Sequence, residues 1–318
     1  MHAADGAVGG VATGAKPGRA ATSRRRVGPY TLITALDDPH TKVPVPERRY
    51  IARSSDGQHT VLLSLPLSGR DPQGFLAEAE ASRYLLGSCA APATSVAGAG
   101  EPPWYAHPYL PALPLPTALA VHGGPLPEQT VRALGAALAE TLAVLHGQGL
   151  TFAGVSPAAV LIAADGPRLS CFGAVRAAAP DGASRSGLPG LEPGSLPPEQ
   201  SSGGRPRPLG DVYALGATLA YAATGYTTPE RDELPAALRT VIARCLSHDP
   251  RNRPQLAELI DALGGRAEAE SRSAVFLGPG WLPGRVIAAL AHQSAAVLTA
   301  EISLAGQTSP THPSHSQN

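Results

Sequence analysis

Apolar and polar positions alternate with two different periods along this chain, and the change of period divides it. From Tyr30 the run Y-T-L-I-T-A-L leads into a proline-rich excursion and then into Y-I-A-R-S-S-D-G-Q-H-T-V-L-L-S-L. Asp56-Gly57 between two apolar runs predicts a hairpin, because glycine there accepts the positive φ that a tight turn demands. Three antiparallel strands follow from this. Asp71-Pro72 then precedes F-L-A-E-A-E-A-S-R-Y-L-L, in which Phe75, Ala79 and Leu86 are among the apolar positions, so one helix is expected on the sheet, with proline at an early turn. Two more strand-like segments lie near Ser95 to Gly98 and Trp104 to Leu110, before the proline-rich link P-A-L-P-L-P.

Beyond the link the period lengthens. Pro127 to His146 carries Val131, Leu134, Leu138, Leu142 and Leu145 at steps of three and four, the spacing of an amphipathic helix. Leu234 to Leu246 and Gln255 to Leu263 predict two further helices. After Gly265 the chain is polar apart from one apolar helix, Val286 to Glu301, and its Ser/Thr/His-rich end has too few apolar residues to pack.

At 318 residues and 43% hydrophobic, the chain can bury a large two-lobed core. The formal net charge is zero, which argues against a nucleic-acid surface. Cys89, Cys171 and Cys245 lie far apart with no C-x-x-C, so neither zinc nor a disulfide framework is expected and the location expected is cytoplasmic. Residues 1–26 are Gly/Ala-rich and end in Arg24-Arg25-Arg26 without an apolar run, which predicts a disordered tail and no signal peptide. No stretch reaches the roughly 18 apolar residues of a membrane helix, so no membrane span is expected.

The stretch from Leu150 to Gly173, L-T-F-A-G-V-S-P-A-A-V-L-I-A-A-D-G-P-R-L-S-C-F-G, resembles the catalytic region of bacterial serine/threonine protein kinases, whose pattern is H-R-D-x-K-P-x-N, two strands, then D-F-G. Further anchors follow in the family's order. L-H-G-Q-G-L precedes the loop, P-P-E stands for A-P-E, Asp211 opens a long apolar helix, and Arg253 lies in D-P-R-N-R-P. The resemblance covers residues 27–265 and implies an α+β, bilobal protein-kinase-like fold. Its N-lobe, 27–112, would hold a small five-stranded antiparallel sheet with one helix, and its C-lobe, 113–265, would be larger and mostly helical, followed by an extension over 266–318. It also implies structural roles: Glu199 pairs with Arg253, Asp211 holds the catalytic-loop backbone, and Glu78 is the helix glutamate that meets a strand lysine.

At the reactive positions the likeness fails. Ser64 stands where the strand lysine belongs, Gly154 at the catalytic base, Ala159 at the metal-binding asparagine and Cys171 at the D-F-G aspartate. The chain has two lysines, Lys16 and Lys42, and of these Lys42 alone is expected to reach a nucleotide. The segment Leu36 to Pro46, where a glycine loop belongs, has no glycine and three prolines, and proline has no N–H to offer a phosphate. Pro108 and Leu110 fall at the hinge positions whose backbone faces adenine, with His107 as gatekeeper. The expectation is a catalytically inactive pseudokinase that binds a protein partner, a kinase or another signalling protein. It needs no cofactor, and weak metal-independent ATP binding is the upper bound. The alternatives are an unorthodox serine/threonine kinase using Lys42, or a nucleotide or small-molecule sensor working through the hinge and the tail helix.

Overall fold

A computed structural model of the protein describes residues 25–264, 277 and 280–308. Strands β1 (Arg26–Val27), β2 (Tyr30–Ala35), β3 (Glu47–Ser54), β4 (Thr60–Pro66), β5 (Ser95–Val96) and β6 (Tyr105–Pro108) form one antiparallel sheet in the order β1-β2-β3-β4-β6-β5. Two-residue β1 adds a sixth strand to the five expected. The hairpin between β3 and β4 turns at Gly57, φ +69°, while Asp56 accepts from the Ser54 hydroxyl and the Gln58 N–H. That turn sets the register Arg53↔Thr60, Ile51↔Leu62 and Arg49↔Ser64.

Helix α1 (Pro72–Ser82) starts where Asp71 accepts from the N–H groups of Gln73 and Gly74, at 3.0 and 2.9 Å, an N-cap worth about 1 kcal/mol. It buries Phe75 and Ala79 against Tyr105 of the sheet. A small sheet of β7 (Ala112–Pro114), β8 (Val160–Ala163) and β9 (Gly166–Leu169) lies below the larger one. Around it pack α2 (Leu115–His122), α3 (Glu128–Gly147), α4 (Ala174–Ala178), α5 (Pro198–Ser201), α6 (Pro208–Thr224), α7 (Ala236–Cys245) and α8 (Leu256–Ala262).

The largest core lies in this helical lobe. Val131, Leu134, Leu138, Leu142 and Leu145 of α3 face Val212, Leu215 and Leu219 of α6. Helix α6 is buried on nearly every side. At Gly216 a Cβ would lie 2.4 Å from the Cys245 Cβ, so glycine is what lets α7 approach α6.

The extension carries α9 (Gly284–Thr308), longer at both ends than the apolar run suggests. Trp281, Leu282, Val286 and Leu290 join the C-lobe core. The Trp281 indole donates to the Ala164 carbonyl at 2.8 Å. Farther along, Glu301 pairs with Arg53 of β3 at 2.6 Å, so this helix touches both lobes. Residues 1–24, 265–276 and 309–318, which include most of the expected tail and the polar end, lie outside the described residues. Among the described residues no helix is long and apolar enough to cross a membrane.

Candidate functional site

The crevice between the lobes is built from β3 and β4 above and the Ser170–Gly173 turn below. Cross-strand pairing puts Arg49 and Ser64 side by side on the same face of the sheet. Both are buried. Arg49 Nε and Nη2 grip Asp37 at 3.0 and 2.5 Å, and Nη1 donates to Ser170 Oγ at 2.9 Å and lies 4.0 Å from Cys171 Sγ. Burial is the largest single influence and works against the guanidinium charge, but Asp37, Cys171 and Glu47 together outweigh it and the Arg49 pKa is raised. Ser170 in turn donates to the Ala159 carbonyl at 2.8 Å, so one arginine of the sheet ties the N-lobe to the loop beneath.

Glu47, two residues along β3, is buried too. The Tyr105 hydroxyl lies 2.6 and 2.7 Å from its carboxyl oxygens. Desolvation raises its pKa against the hydrogen bonds from Tyr105 and Ser64. Cys171 is held up strongly by burial, so its thiol stays protonated.

Glu78 of α1 pairs with α4. Both its oxygens are held by Arg176 of α4, at 2.7 and 2.6 Å, and Arg176 also donates to the Thr151 carbonyl and lies over the Phe172 ring. At Gly154 a Cβ would come within 2.1 Å of the Cys171 carbonyl oxygen. The backbone therefore occupies the space an acidic side chain would need. Ala159 presents a buried methyl group.

Asp211 accepts from the N–H groups of Phe152 and Ala153 at 2.7 and 2.8 Å, and from His146 Nε2 at 2.9 Å. This holds Ala153 in its left-handed conformation, φ +52°, which a non-glycine residue adopts only under constraint. Arg253 grips Glu199 at 2.6 and 2.9 Å and donates to the carbonyls of Leu209, Ser247 and His248. The pair is one-sided in burial, since Arg253 is enclosed and Glu199 is 36% exposed.

At the hinge, Pro108 and Leu110 line a cavity together with Leu62, His107, Ala112 and Leu161. Lys42 is exposed. A count of lysines leaves out Arg49, a cation that the structure places in the crevice.

Comparison with known proteins agrees with this geometry. Over 259 residues the chain is 32% identical to the probable serine/threonine-protein kinase PkwA of Thermomonospora curvata, covering 75% of this chain and 34% of that protein. Over 285 residues it is 28% identical to the serine/threonine-protein kinase AfsK of Streptomyces coelicolor, covering 83% of this chain and 35% of that one. The chain is a relative of the bacterial serine/threonine protein kinases. It spans about a third of the length of these curated relatives. The kinase domain of Mycobacterium tuberculosis PknI superposes with a TM-score of 0.59 at 22% identity, covering 77% of this chain and 98% of that domain, which establishes the bilobal kinase fold. No family model matches the chain.

Sequence reasoning missed Arg49, Asp37 and Arg176. Arg49 was within reach of it: the Asp56-Gly57 turn pairs residue 53 with 60, and stepping back by two along both strands brings Arg49 opposite Ser64. Asp37 and Arg176 carry no such signal, because they meet Arg49 and Glu78 only through tertiary packing.

Proposed function

We propose that this kinase-fold chain does not transfer phosphate and instead acts in signalling by binding a partner protein, a kinase or another signalling protein. One observation carries the reading: the crevice cation, Arg49, is enclosed and fully engaged by Asp37, Ser170 and the Cys171 neighbourhood. A phosphate arriving there would have to displace Asp37 from a bidentate pair, the strong geometry for arginine and carboxylate.

The donor set does not fit a magnesium-bound triphosphate. Magnesium takes hard oxygen ligands in near-octahedral array. Gly154 and Ala159 offer none, the buried Cys171 thiol stays protonated, and Asp37 commits both oxygens to Arg49. Among the described residues no group of three His, Cys, Asp or Glu side chains is arranged to hold a metal ion. Without a base the rate falls by about 10² to 10⁴, and without metal stabilisation by several kcal/mol more. The C-lobe anchors Asp211 and Arg253 keep the frame in shape for a partner.

Titration calorimetry with ATP, with and without Mg²⁺ or Mn²⁺, tests the catalytic half. We expect weak, metal-independent binding at most, and tight metal-dependent binding overturns the reading. Co-purification from the native host tests the other half, and failure to return a specific partner counts against it.

A second reading is favoured by the register of Arg49, which puts a cation on the same face as Ser64. In this reading the chain is an unorthodox kinase that uses Arg49. Radiolabelled phosphate transfer by the wild type, lost in Arg49→Ala and kept in Lys42→Ala, would establish it.

A further inference from the structure

Residues 109–111 join the lobes between β6 and β7, and the C-terminal helix braces them. β7 is an edge strand, whose outer N–H and C=O groups lack a strand partner. Gln293 of α9 takes that partner's place: it accepts from the Ala112 N–H and donates to the Ala112 carbonyl, both at 3.0 Å. It also accepts from the Tyr109 hydroxyl at 3.1 Å, and the Tyr109 N–H bonds the Thr60 carbonyl of β4. One side-chain amide therefore grips the link on its N-lobe side and on its C-lobe side.

The same helix is fixed on either side of Gln293 by different means. At its start, Trp281, Leu282, Val286 and Leu290 are buried in the C-lobe core, the Thr130 hydroxyl donates to the Trp281 carbonyl at 2.8 Å, and Arg285 donates to the His122 carbonyl at 3.2 Å. About 22 Å beyond Val286 along a straight helix, Glu301 meets the N-lobe. Arg53 pairs with it at 2.6 Å and the Thr60 hydroxyl donates to it. Burial first and the Glu301 charge second push the Tyr109 pKa up to about 12, so this carboxylate also lies close to the link. The Arg53 and Glu301 side chains keep 26% and 15% of their exposure, which makes the pair a weak attachment beside the buried apolar root.

We propose that α9 is a strap that sets the angle between the lobes. Rooted in the C-lobe, it braces the link through Gln293 and latches the N-lobe through Glu301, and opening of that latch frees the lobes to swing about residues 109–111. The root is apolar and buried while the latch is polar and partly exposed, so release begins at the N-lobe end. Rotation of the N-lobe carries Arg53 and Tyr109 together, and a stiff helix rooted in the C-lobe does not follow, so the two polar attachments yield together. The strap is independent of whether the chain transfers phosphate.

Two measurements on the full chain without nucleotide test this. Spin labels at Glu101→Cys and Arg251→Cys, exposed positions of the N-lobe and C-lobe, read the interlobe distance by double electron–electron resonance, while Cys89, Cys171 and Cys245 are buried away from the label. The parent gives one narrow distribution, and Gln293→Ala and Arg53→Gln each broaden it. Hydrogen exchange of the Ala112 amide quickens about tenfold in Gln293→Ala, the factor for one hydrogen bond of about 1.4 kcal/mol. It also quickens about threefold in Arg53→Gln, in keeping with a partly exposed ion pair, although Arg53 bonds to Thr60, Gly57 and Glu301 and to neither Gln293 nor Ala112. A Gln293 that only caps β7 leaves Ala112 exchange unmoved by Arg53→Gln. Because Arg53→Gln alters a surface pair and leaves α9 intact, it decides the matter even where Gln293→Ala does not fold. An interlobe distribution or an Ala112 exchange rate that Arg53→Gln leaves unchanged overturns the strap.

Discussion

Two regions of this protein bury arginine–carboxylate pairs, and they use them differently. In the C-lobe, Arg253 holds Glu199 and three backbone carbonyls, while Asp211 holds two backbone N–H groups of the loop. These charges fix the backbone. In the crevice, Arg49 holds Asp37, and Arg176 holds Glu78, so the charges that could have met a ligand meet each other. The C-lobe contacts join residues that the kinase likeness names together, whereas the crevice pairs bring in Asp37, Arg49 and Arg176, which it leaves unassigned, and give Glu78 an arginine of α4 in place of a strand lysine. A buried charge must be compensated somewhere, and in both regions the compensating groups come from the chain itself.

The largest expected effect separates the regions directly. Arg49→Met strands a largely buried Asp37 and should destabilise the fold by about 3–5 kcal/mol, with much of the loss recovered in the Arg49→Met/Asp37→Leu double variant; urea unfolding reads both. A small loss would mean that Arg49 is free to serve a ligand, and the contrast would break. Arg253→Met should cost about 3 kcal/mol, the low end of that range, because Glu199 can turn to solvent.

Gly154 sharpens the comparison from the steric side. Gly154→Ala forces a Cβ against the Cys171 carbonyl oxygen and should lower stability by about 1–3 kcal/mol in thermal unfolding. Gly154→Asp should fail to restore phosphate transfer in a radiolabelled assay. Transfer by that variant would show that only a side chain is missing.

The smallest effect is a pH dependence. His107 titrates at about 4 when folded, against an ordinary value of 6.5. Between those values the unfolded chain binds the extra proton, so stability falls as pH drops through this window and is fully present above it. The slope is at most about 1.4 kcal/mol per pH unit. Glu47, whose pKa is raised by burial, contributes with the opposite sign, losing stability as pH rises above its ordinary 4.5. Arg49 is the charge near both groups. Unfolding midpoints of wild type and His107→Leu across pH 4–7 isolate the histidine, and identical slopes would remove its role.

Much of the frame was legible residue by residue. The three- and four-residue steps of α3 marked the face that packs on α6, and Asp56-Gly57 marked the hairpin and hence its register. Docking of α9 was not legible, because an apolar stripe does not say which surface covers it. Gln293 reads as an ordinary polar residue until Ala112 lies beside it. The crevice was half legible: Ser64, Gly154, Ala159 and Cys171 were visible as departures from the family pattern, but the partners that Arg49 and Glu78 take were not.

By itself the sequence determined the period of each element, the order of the family anchors and the side-chain types present at the reactive positions, because these are local or ordered along the chain. Only the tertiary structure decided which charges neutralise which. Asp37 reaches Arg49 across twelve residues, Glu78 reaches Arg176 across 98, and Gln293 reaches Ala112 across 181. Electrostatic pairing depends on distance in space and on burial, and neither quantity is a property of a residue's neighbours in sequence.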